Sequence, residues 1–157
     1  DYTQDMDEMI DKFFTNFYGD AAPAMRKWFD DFRLWHTAQT ESRGWNYRGT
    51  SAGRKTMDAS FYPYGKLMQW QKNLDEAYAS IEKYKASDLA LYDKLERRIT
   101  KDGLSLKYLI YNLHEPTIGY AEADRIYRQM MEDAVRVGVT ECKEDRPLEE
   151  LLRTTVL

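Results

Sequence analysis

Residues 13–32 read FFTNFYGDAAPAMRKWFDDF. Leading into this stretch, Met6, Ile10, Phe13, Phe14 and Phe17 follow at steps of four, three, one and three, the spacing of one helical face. Gly19 stops that helix, because glycine adopts left-handed dihedrals cheaply. Asp20 is placed to cap the next helix. Pro23 falls in the first turn of that helix, where a missing N–H costs little. A second face runs through Met25, Trp28, Phe29, Phe32, Trp35, His36 and Gln39. Two helices this close in sequence pack as an antiparallel hairpin. Their aromatic residues are expected in the core. The competing reading turns Trp28 or Trp35 outward, to a partner or a ligand.

Outward from the hairpin, helical spacing continues. Thr3 or Asp5 can cap the first helix, and the second runs from about Ala21 to Glu41. A third helix is predicted over Gly65–Tyr84, with Leu67, Trp70, Leu74, Ala77, Ile81 and Tyr84 as its seam. Ser87 and Asp88 mark the start of the next, striped by Leu91, Tyr92, Leu95 and Ile99. Leu106, Leu109, Ile110 and Leu113 resume that stripe past Gly103, so one long helix is expected through the glycine, at about 1 kcal/mol relative to alanine. Pro116 is expected to break it. Tyr120–Val137 forms the last long helix, with Ala123, Ile126, Tyr127, Met130, Ala134 and Val137 inward and Gly138 at its end. A short extended piece in VGVTECKEDRP and a final short helix from Pro147 complete the chain. The expected fold is all-α: an antiparallel helical bundle of about five main helices plus a short C-terminal helix, forming one domain over residues 1–157.

The totals narrow the function. The chain has 157 residues, 43% apolar and 32% charged, with a net charge of −4. That length and balance suit one folded domain with a substantial core. Both signs of charge are interspersed, which argues against a nucleic-acid partner needing a clustered basic face. No apolar run is long enough to span a bilayer. Cys142 is the single cysteine, so no intramolecular disulfide is possible. Its acidic neighbours Glu141 and Glu144 discourage a thiolate.

Between about residues 43 and 64 the periodicity lapses into an irregular loop. Arg43, Trp45, Tyr47, Arg48, Tyr62 and Tyr64 stand in or beside it. Arginines can hold anionic or planar groups, and aromatic faces can stack on a sugar ring. These six residues are the candidate ligand-binding set; the competing reading is a surface loop packed on a neighbouring domain. No catalytic constellation stands out. There is no phosphate-binding or nucleophile-elbow motif. Two histidines and one cysteine cannot build a zinc site without acidic help, and no metal or other cofactor is expected. His36 reads as a core or boundary histidine. The 27 acidic residues lie mostly on polar faces, and spacing nominates no opposed carboxyl pair of the kind glycosidases use.

The pattern Asp7, Ile10, Phe14, Phe17-Tyr18-Gly19, Ala21-Ala22-Pro23, Met25 and Trp28 resembles a signature of a bacterial family labelled domain of unknown function 4838. LSLKYLIYNL at 104–113 and the ending from Val137 to Leu152 are similar too. Phe17 stands where that family often has tyrosine, and the segment from Gly44 to Tyr62 is longer than usual. The resemblance implies a helical C-terminal region of a secreted, periplasmic or cell-surface protein. That protein would carry a glycoside-hydrolase-like (β/α)8 barrel holding the catalytic carboxylates. On that reading this chain is a non-catalytic accessory domain packed on the barrel. Its partners would be the barrel and a polysaccharide or oligosaccharide. The alternatives are a carbohydrate-binding module using the loop at 43–64, or a helical protein–protein or dimerisation module.

Overall fold

The structure, a computed structural model, describes residues 5–44, 58–143 and 146–148. The fold is all-α. The helices are α1 (Met6–Tyr18), α2 (Ala22–Ser42), α3 (Tyr64–Ile81), the single turn α4 (Tyr84–Ser87), α5 (Leu89–Ile118) and α6 (Tyr120–Arg136). Two short extended pieces, β1 (Glu141–Lys143) and β2 (Arg146–Pro147), pair antiparallel. The chain groups into two compact units, Asp1–Ile99 and Thr100–Leu157. The final helix expected from Pro147 lies almost wholly outside the described residues.

In the first unit, the Asp5 carboxylate caps α1 by accepting the Asp7 N–H at 2.9 Å. Gly19 ends the helix at φ +54°, a conformation that strains any residue with a Cβ. The sequence reading placed Asp20 as the cap of α2. Instead a 3-10 turn, Gly19–Ala21, leads directly into α2 with no side-chain cap. Asp20 accepts instead from Tyr84 Oη at 2.8 Å and pairs with Lys83. Arg98, near the middle of α5, donates to the Phe17 carbonyl oxygen and covers the Phe17 ring at 4.0 Å. One of the carbonyls that every helix leaves unpaired at its C-terminus is thereby satisfied.

α2 and α3 lie antiparallel, because their pairings run in opposite order. Asp20 meets Lys83 and Tyr84, Phe32 meets Trp70 at 5.2 Å between centroids, and Arg43 donates to Ser60 at 3.0 Å. The seam predicted for α3 is buried at Leu67, Trp70, Leu74, Ala77 and Ile81. The helix ends at Ile81, three residues before the predicted Tyr84, which starts α4. Phe61 and Tyr62 are buried just before α3. Trp35 Nε1 donates to the Phe61 carbonyl oxygen at 2.8 Å, so that indole points inward rather than toward a partner. His36 is a boundary residue with its ring against Phe32 and Phe61.

In the second unit, α5 continues through Gly103, as its stripe requires. The break expected at Pro116 is present as a kink. The helix deviates two residues earlier, at His114 (φ −124°, ψ 17°), and runs on to Ile118. The displacement follows from proline, which clashes with the preceding turn rather than with what comes after. Gly119 (φ +83°) then separates α5 from α6. Tyr111 meets Tyr127 at 5.1 Å, Lys107 pairs with Asp133, and Arg136 reaches Thr100 at 3.3 Å, so α5 and α6 also run antiparallel here. Met130, Met131, Ala134 and Leu148 fill the space between them.

Candidate functional site

Of the six loop residues proposed as a ligand set, the structure describes Arg43, Tyr62 and Tyr64. Trp45, Tyr47 and Arg48 lie outside the described residues. Arg43 is turned back on the protein, 5.2 Å over the Phe61 ring. Tyr62 is 5% exposed, its ring packed among Phe32, Phe61 and Trp70. Tyr64 opens α3, half-buried.

A different feature is better formed. An open groove of about 730 Å³ lies where α1, the 3-10 turn and α2 meet the end of α3. Phe14, Ala22 and Pro23 give it an apolar side; Asp11, Asp20, Arg26 and Lys83 give it charge. Those charges already satisfy one another. Arg26 donates to Asp30 at 2.6 Å and Asp11 at 2.7 Å, and reaches Asp7 at 3.5 Å. The Asp30 hydrogen bond raises the Arg26 pKa further. Hydrogen bonds from Lys83 and then Tyr84 hold the Asp20 carboxyl below its ordinary value. The same contact raises both Lys83 and Tyr84.

This chemistry decides what the groove can do. A glycosidase needs one carboxyl held protonated as a general acid. Asp20 is shifted the opposite way, and Asp11 is committed to Arg26. Among the described residues, no group of three or more potential metal ligands converges. The charged groups lining the groove are thus paired, Arg26 with Asp11 and Lys83 with Asp20.

The third candidate is a surface. The sequence reading took Met6, Ile10, Phe13, Phe14 and Phe17 as one inward face. The structure corrects this: Phe14 and Tyr18 are buried, while Met6 (68% exposed), Met9 (48%) and Phe13 (54%) face solvent. Phe13 stacks on the half-buried Phe17 at 5.3 Å, and Met6, Met9 and Phe13 follow at steps of three and four on one side of the helix. A signal for it was present. Apolar residues at 6, 9, 10, 13, 14, 17 and 18 cover more of the helix circumference than one core contact uses.

Comparisons with protein-family models, with curated proteins and with solved structures find no significant match. Among the described residues, no helix is long and apolar enough to cross a membrane.

Proposed function

We propose that this chain is a non-catalytic helical accessory domain that docks through α1 onto a larger partner. In the setting implied by the resemblance at Phe17–Pro23, the partner is the glycoside-hydrolase-like barrel of a secreted bacterial protein. The observation carrying this reading is the exposed run Met6, Met9, Phe13. Single exposed apolar residues are ordinary on a protein surface, whereas several grouped on one side of a helix favour an interaction site. The paired charges of the groove support a contact role over a bond-breaking one.

Methionine oxidation tests the proposal. Peroxide should oxidise Met6 and Met9 rapidly in the chain alone and slowly when the chain is joined to the barrel, with Met25, fully buried, as the internal control. Equal oxidation of Met6 and Met9 in both states would sink the docking reading.

A further inference from the structure

We draw no further inference here: the strongest candidate, the open groove where α1, the 3-10 turn and α2 meet the end of α3, has its charged groups already paired with one another, and nothing in the structure shows what occupies it.

Discussion

The α2–α3 pair and the α5–α6 pair share an antiparallel arrangement but not a filling. Between α2 and α3 the space is taken by rings: Phe32, Tyr62 and Trp70, with Phe61 behind them. Several donors there stay without a hydrogen-bond partner, namely Trp28 Nε1, Trp70 Nε1 and Asn73 Nδ2. Between α5 and α6 the filling is methionine, tyrosine and one buried carboxylate, Asp133, held by Lys107 and Arg136. A ring-filled seam is governed by volume and tolerates an orphan donor at a cost. A seam built around a buried ion depends on pH, because the ion must keep both its charge and its partners.

The largest expected effect is Trp70→Ala. It empties the centre of the first seam and should cost about 3–5 kcal/mol in urea denaturation. A loss below about 1 kcal/mol would break the claim that rings hold this half.

Next comes the acid limb of stability. Burial pushes the Asp133 carboxyl up, but hydrogen bonds from Lys107 and Arg136 outweigh it and leave the pKa below its ordinary 3.8. The unfolded chain therefore takes up this proton first as the pH drops. The contribution of Asp133 is complete above about pH 4 and disappears as pH falls through the lower folded value. Asp20, Asp58 and Glu122 are held low too, but they are exposed and screened. Asp133→Asn should cost about 2 kcal/mol at neutral pH and flatten the stability curve below pH 4, while Trp70→Phe leaves its slope unchanged. An unchanged acid limb in Asp133→Asn would erase the contrast between the two seams. Alkaline behaviour follows the same logic at Tyr111: burial, with Tyr108 and Tyr127 nearby, pushes its phenol up to about 12.

The smallest effect has the opposite sign. Asn73 is buried with its amide nitrogen unpartnered, so Asn73→Leu should stabilise the chain by about 0.5–1 kcal/mol in the same urea assay. A clear destabilisation would mean that this donor is satisfied in solution, and that the ring-filled seam is wetter than described.

How much of this could be read from residue order differs between the two seams. The α3 seam and the run of α5 through Gly103 were legible because their buried residues are apolar and periodic. Asp133 was not, since an aspartate on a helix reads as a solvated face until its partners on another helix are known. The α1 orientation was misread for a related reason. Its apolar residues are too many for one face, and the position of α2, tied to α1 by Arg26 at Asp7 and Asp11, selects Phe14 and Tyr18 for the interior. As for the candidate site, composition singled out the loop residues; of these Arg43 and Tyr62 pack on the protein, and Trp45, Tyr47 and Arg48 lie outside the described residues.

The placement of the indoles carries a practical consequence. All four tryptophans, Trp28, Trp35, Trp45 and Trp70, fall within residues 1–99. The ammonium of Lys66 sits 5.3 Å from the Trp35 ring centroid and 5.6 Å from that of Trp70. Emission excited at the red edge will thus follow events in the first ninety-nine residues, with Trp35 and Trp70 under the electric field of one lysine, while the remainder of the polypeptide stays dark in that channel.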